Sequence, residues 1–276
     1  MSTRRARWLL VAMLVALAAP AARADAQTGG CEPLDRYTDL VAPEPTTAGT
    51  VTVPLVIHIM ERPGNPCRVR RAWSSARLRR LFDDDPTDRR TVASVWGDTG
   101  LRFVVREVAL HELTPPPALL NGGGTVIIPT TGPLGTAQWE AAFRRLVARV
   151  HRPQSVNVYL WTALAPNQAG FGRSTRSGRG KATVWLASKC ADPARTSPER
   201  CARIVAHELG HALGLYHSGT NRCATVQPTF RRVCLRTSAP CGESRNAERL
   251  MASGEAGRLV CDVEARAAEE MAESLE

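Results

Sequence analysis

Three things are scarce in this 276-residue chain: aromatic side chains, at 5%, long apolar runs, and any repeated segment. The longest early apolar stretch, Trp8 to Ala19, is too short to cross a bilayer core of about 30 Å as a helix. No later stretch approaches the roughly 20 apolar residues a spanning helix needs, so no transmembrane segment is expected. No nucleic-acid motif accompanies the many arginines, so a solvated basic surface is expected and not a polyanion site. Asp83, Asp84, Asp85 and Asp88 do not have EF-hand spacing; helix capping accounts for them, and Ca²⁺ is permitted but not indicated.

What the chain does have begins with an address. Arg4, Arg5 and Arg7 precede the apolar run, and small residues follow, the layout of a secretory signal peptide over 1–26. Cleavage fits after Ala24 or, preferred, after Ala26, and the destination is the outside of the cell or a periplasm. Thr28-Gly29-Gly30-Cys31 lacks the leucine of a lipid-attachment box, so a lipoprotein is not expected. Losing Arg4, Arg5, Arg7, Arg23 and Asp25 with the leader takes the formal charge from +10 to +7. All eight cysteines lie beyond the leader and, in an oxidising compartment, should pair. Cys190 and Cys201, eleven positions apart, are the favoured local bridge; Cys223, Cys234, Cys241 and Cys261 would staple the C-terminal part. Cys31 and Cys67 are the remaining candidates.

Residues 27–50, with Gly29, Gly30, Pro33, Pro43 and Pro45, read as a linker or short N-terminal segment. VTVPLVIHIM over 51–60 reads as a mostly buried strand, with Pro54 confining it to an edge or its beginning. Asp85-Pro86-Thr87-Asp88 predicts the start of a helix running to Gly100, followed by a strand over 101–110. A second amphipathic helix is expected near 136–151. Strands over 155–164 and 181–187 are joined by a loop carrying Arg173, Arg176, Arg179 and Lys181, read chiefly as a solvated, mobile loop. The expected fold is α/β, with strands concentrated in the first two-thirds of the chain.

The chemistry concentrates at HELGHALGLYH. Ser197 can cap a helix starting at Pro198, with Ile204, Val205, Leu209 and Leu213 on its apolar face. His207 and His211, four apart, then project from one face and can share a metal. Gly214 can adopt the positive φ that ends a helix, letting His217 swing back as a third ligand. Three imidazoles leave the fourth position of Zn²⁺ to water, the open arrangement of a catalytic site, with Glu208 beside it as general base. Peptide hydrolysis is the reaction class. His58, His111 and His151 lack partners at metal spacing and are expected to be surface or hydrogen-bonded histidines.

HELGHALGLYH resembles the HExxHxxGxxH signature of the metzincin clan of zinc metallopeptidases, with every fixed position present. A chance match in such a chain is on the order of 10⁻⁵. The stretch SVNVYLWTAL, then Gly170-Phe171-Gly172, then a strand leading into the helix, is similar to bacterial pappalysin-like or matrixin-like secreted proteases. The resemblance implies a metzincin-like catalytic domain over 51–276: an upper subdomain of about 51–214 with a twisted, mostly parallel sheet, and a smaller disulfide-stapled lower subdomain of about 215–276. It implies one catalytic Zn²⁺ and a methionine turn at Met251. It also implies an exposed edge strand above the cleft, assigned to Lys181, Ala182, Thr183, Val184 and Trp185, onto which a protein or peptide substrate would add. A monomer is assumed. The rival readings are a zinc amidase or narrow peptidase acting on small or cell-wall peptides, and a non-catalytic secreted binding protein with a structural metal.

Overall fold

The structure, a computed structural model, describes residues 30–42, 50–64, 66–120, 126–127, 141–142, 145–146, 148–165, 170–173, 182–215, 223–226, 231–234, 251, 260, 265–266, 268–269 and 272. The chain divides after Cys31, and residues 32–276 form one unit. The expected leader, 1–26, and its cleavage point lie outside the described residues. No described helix is long and apolar enough to cross a membrane.

The elements follow in chain order: β1 (Val51–Glu61), α1 (Arg68–Ala72), α2 (Ser75–Leu81), α3 (Ala93–Trp96), β2 (Leu101–Glu112), β3 (Val126–Ile127), β4 (Val156–Trp161), β5 (Leu164–Ala165), β6 (Gly170–Arg173), β7 (Thr183–Ala187), α4 (Ser188–Ala191), α5 (Pro198–Ala212), β8 (Cys223–Val226) and β9 (Arg231–Cys234). Five strands make one sheet in the order β2-β1-β4-β7-β6. The first four are parallel, and β6 runs antiparallel to β7. The fold is therefore mixed α/β around a largely parallel sheet.

Parallel strands covered on both faces read as continuous apolar runs, and β1, β4 and β7 do so. Ile57, Val158, Leu160, Val184 and Leu186 belong to the core that holds Val205 and Leu209 of α5. Met60, Tyr159, Trp161 and Trp185 form the second core with Leu146 and Val150, with Trp161 and Trp185 stacked at 5.6 Å. Each fully buried side chain of this kind contributes about 1.5–3 kcal/mol. Pro54 sits at the beginning of β1, since β4 joins it only from Leu55 onward.

Three expectations are corrected. Residues 27–50 are not all linker: Leu34–Leu40 forms a 3-10 helix, and the buried Tyr37 hydroxyl donates to the Trp73 carbonyl at 3.0 Å. The helix expected from Asp85 starts only at Ala93, because the Asp85 and Asp88 carboxylates accept the N–H groups two residues on, of Thr87 and Arg90, and close turns instead. Most consequential, Ala182, Thr183, Val184 and Trp185 are not an outer edge. Thr183, Val184 and Trp185 begin β7, with Ala182 just before it, and that strand is inserted between β4 and β6 and buried on both faces; Lys181 lies outside the described residues. The end of the sheet is β6.

Of the helix expected near 136–151, residues 141–142, 145–146 and 148–150 are helical and residue 151 is not. Cys190 and Cys201 form the expected bridge, with Cα atoms 5.2 Å apart, and Cys31 and Cys67 are each disulfide-bonded. Cys223 and Cys234 stand opposite one another in the β8–β9 hairpin. Cys241 and Cys261 lie outside the described residues.

Candidate metal centre

The α5 helix starts as its sequence dictates: the Ser197 hydroxyl accepts the Arg200 N–H at 3.2 Å, and Pro198 occupies the first turn. Its end is equally specified. Gly214 has φ +86°, its N–H donates to the His211 carbonyl at 3.0 Å, and the Leu215 N–H donates to the Gly210 carbonyl at 2.9 Å. These paired bonds satisfy carbonyls the helix leaves open and reverse the chain at the one residue type that takes this φ without strain.

That reversal does chemical work. It brings the Leu215 carbonyl oxygen 2.8 Å from Nδ1 of His211. A carbonyl oxygen only accepts, so Nδ1 carries the proton and the ring's lone pair sits on Nε2. A histidine so oriented by a backbone carbonyl is in the tautomer a metal ligand requires. The His207 ring lies 4.6 Å away at 88°, and ligand atoms of His207, Glu208 and His211 all fall within 4.8 Å of one another. His207 is buried; Glu208 and His211 are half-buried. Imidazole nitrogens with a carboxylate beside them fit Zn²⁺. His217, the expected third ligand, lies outside the described residues.

Beneath the helix, Met251 is fully buried and its sulfur lies where a side chain on Gly210 would project, 2.6 Å from an ideal Cβ. Trp96 completes this floor: its Nε1–H donates to the Ala206 carbonyl at 3.1 Å and its ring edges the Phe103 ring at 5.8 Å. On the sheet side, Gly170 of β6 stands against Glu208 and Ile204. Sequence reasoning singled out Met251 and Gly214 but missed Gly170, Gly210 and Trp96 as parts of this site. The available signal was the glycine of Gly170-Phe171-Gly172 at a strand position, which marks a close approach of another element.

His58 and His111 belong to a separate network on the opposite face of the sheet. Asn157 Nδ2 donates to the Arg152 and Ser155 carbonyls at 2.8 and 2.9 Å, so its Oδ1 accepts from the Arg152 N–H and from His58 Nε2, each at 2.8 Å. His58 Nδ1 is then bare and accepts from His111 Nε2 at 2.9 Å. The His58 ring also stacks on Tyr159 at 4.7 Å. Burial lowers the pKa of His58 to about 4 and lowers that of His111. Hydrogen bonds between Arg152 and Glu107 hold the Glu107 carboxyl below its usual range. His58 is thus a buried, hydrogen-bonded histidine, and the half-buried His111 is hydrogen-bonded to it. The aspartates are similarly accounted for: Asp84 pairs with Arg102, and Asp88 with Arg90 at 2.7 Å.

No protein-family model matches the chain, and no curated protein matches it. Among solved structures, one titled "Structure of a chaperone-substrate complex" aligns with a TM-score of 0.40 and 12% identity, covering 83% of this chain and 36% of that one. The present chain thus spans about a third of that chain's length. Likeness at this level carries no argument about function.

Proposed function

We propose that this chain is an exported zinc metallopeptidase of the metzincin type, hydrolysing peptide bonds with Glu208 as general base. The observation that carries the reading is the His211 tautomer: the helix-ending turn at Gly214 engages Nδ1 with the Leu215 carbonyl and so leaves the lone pair on Nε2, in a residue whose ligand atom lies within 4.8 Å of those of His207 and Glu208. His217, three residues beyond Gly214, is the third ligand of the proposal. Three further features favour it. The sheet has four parallel strands and an antiparallel end strand, Met251 lies under the helix, and HELGHALGLYH has the full clan signature.

Zinc, when bound, acidifies a water and polarises the scissile carbonyl. The chain's own residues do the rest. His207 and His211 hold the metal, with the Leu215 carbonyl keeping His211 in its tautomer. The Glu208 carboxylate takes a proton from the attacking water and passes it to the leaving amine, which requires it ionised and close to both. Substrate docking moves with the corrected topology: among the described residues nothing pairs with the outer side of β6, so a peptide would add there as an antiparallel strand. Such docking positions the scissile bond through main-chain hydrogen bonds, leaving selectivity to pockets and loops.

The test is incubation of refolded protein lacking residues 1–26 with a proteome-derived peptide library, with chelator, without it, and with zinc restored. The expected result is chelator-sensitive cleavage of internal bonds that zinc recovers. Cleavage confined to short or cell-wall peptides would favour the narrow amidase, and a firmly held metal with no hydrolysis would favour a binding protein.

A further inference from the structure

Gly170 is the first residue of β6, the strand at the end of the sheet, and it lies against α5 where Glu208 emerges. A Cβ at this position would stand 2.9 Å from Cγ of Glu208, 3.2 Å from Cγ2 of Ile204 and 3.2 Å from Cδ2 of Leu186. Non-bonded carbons at optimal separation lie about 3.5–4.0 Å apart, so all three approaches are too close. Ile204 and Glu208 are one turn apart on the same helix face, and Leu186 is the partner of Gly170 across the β6–β7 pairing. The missing side chain is therefore the space into which a helix ridge fits. The backbone takes no positive φ here, so room, and not conformational freedom, is what glycine supplies.

The tightest of the three contacts is with Cγ of Glu208, a mid-chain carbon. It cannot give way without carrying the carboxylate along, because the carboxyl carbon is bonded directly to it. Leu186 belongs to the buried core and Ile204, partly buried, packs against it, so both resist movement themselves.

We propose that Gly170 is a positioning residue for Glu208: the empty volume at Gly170 sets where the carboxylate stands relative to the donor atoms of His207 and His211. The catalytic consequence rests on the peptidase reading above; the contact itself does not. The same contact ties the height of β6, on which a peptide would be laid, to the position of the base that acts on it. An added methyl group moves either the carboxylate or the strand, and misplacement by even 1 Å costs on the order of a hundredfold in rate.

The experiment compares four proteins: wild type, Gly170→Ala, Glu208→Ala and the double variant. Thermal unfolding is measured on the metal-free proteins, and zinc stoichiometry, kcat and KM are measured on zinc-loaded wild type and Gly170→Ala. Gly170→Ala is expected to keep its zinc and its KM within about twofold while kcat falls about tenfold or more. In metal-free protein it should lower Tm in the Glu208 background, and most of that loss should vanish in the Glu208→Ala background, where Cγ is gone. A kcat within twofold of wild type overturns the proposal. So does an equal Tm loss in both backgrounds, or failure to fold in both, since either assigns the crowding to Ile204 and Leu186. Absence of hydrolysis in zinc-loaded wild type strikes the peptidase reading instead, and the unfolding cycle, which needs no catalysis, still decides the contact.

Discussion

Met251 seats its sulfur in the place a side chain at Gly210 would take, 2.6 Å from where the Cβ would stand, with Trp96 Cζ2 3.5 Å from the same point. Position 210 lies between His207 and His211, so whatever fills this volume also bears on the turn that presents both imidazoles. Glycine within a helix is less favourable than alanine by about 1 kcal/mol, so Gly210→Ala would stabilise an isolated helix. In the protein the crowding should win, because forcing a methyl group into a packed core costs about 1–3 kcal/mol. Urea unfolding of metal-free Gly210→Ala is expected to show a net loss of about 1 kcal/mol, together with weaker zinc binding. Adding Met251→Ala should relieve the methyl clash, so the penalty of Gly210→Ala becomes smaller or changes sign in that background. An unchanged penalty would place the conflict elsewhere.

Glu208 and His211 should separate in a metal assay. Glu208→Ala leaves the imidazoles in place, so zinc stoichiometry should be retained while kcat falls by about 10²–10⁴, the usual contribution of a positioned base. His211→Ala removes a ligand and should lower zinc occupancy along with activity. Inductively coupled plasma analysis beside a peptide assay distinguishes the two. Full activity in Glu208→Ala sinks the general-base assignment.

His58, buried beside the half-buried His111, makes stability depend on pH. The pKa of His58 is about 4 in the folded protein against 6.5 in an exposed reference state, so below pH 6.5 the unfolded chain takes up a proton that the folded one refuses. The stabilisation is therefore fully present above pH 6.5 and is lost as pH falls through about 4, a span worth about 3 kcal/mol. The lowered pKa of His111 acts with the same sign, while Glu107, paired with Arg152 at 2.8 Å, faces the pair as the nearest acid. Urea midpoints of metal-free protein measured from pH 7 to pH 4 should fall steeply in wild type. His58→Gln should be weaker at pH 7 but show a flatter profile over the same range. Parallel profiles would remove His58 as the source.

The Cys190–Cys201 bridge joins α4 to the first turns of α5, with a sequence separation of 11. Closing a loop of this size restricts the unfolded chain by about 3 kcal/mol in the chain-entropy account. Replacing both cysteines by alanine should lower the unfolding free energy by about 2–3 kcal/mol, and a non-reduced digest should yield one peptide pair carrying both residues. Recovery of Cys190 or Cys201 as a free thiol would contradict the pairing.

The parts of the site legible in the residue order are those whose rules act within a few positions. Ser197 before Pro198 begins a helix, histidines four apart share its face, and Gly214 ends it; each expectation matches the described geometry. The helix expected from Asp85 failed for an equally local reason, since short acidic side chains can close turns as well as cap helices and here did the former. The apolar run before α5 was correctly read as a strand, but its place in the sheet was not. A buried central strand and an edge strand differ in what lies beside them, which the strand's own composition does not record when both of its faces are covered.

What the sequence by itself determined is therefore the helix that carries His207, Glu208 and His211, their closeness on it and the turn that closes it, because backbone geometry converts spacing directly into direction. Only the tertiary structure decided that β7 lies inside the sheet and β6 at its end, that Gly170 abuts Glu208, that Met251 fills the space at Gly210, and that His58 meets His111 and Asn157 across three strands. Those relationships join residues 38 to 99 positions apart or arise from strand order, as with the separations of 99 between His58 and Asn157 and 53 between His58 and His111. They are set by which faces bury against one another when the chain collapses, a choice made by the packing of the whole and carried by no local pattern.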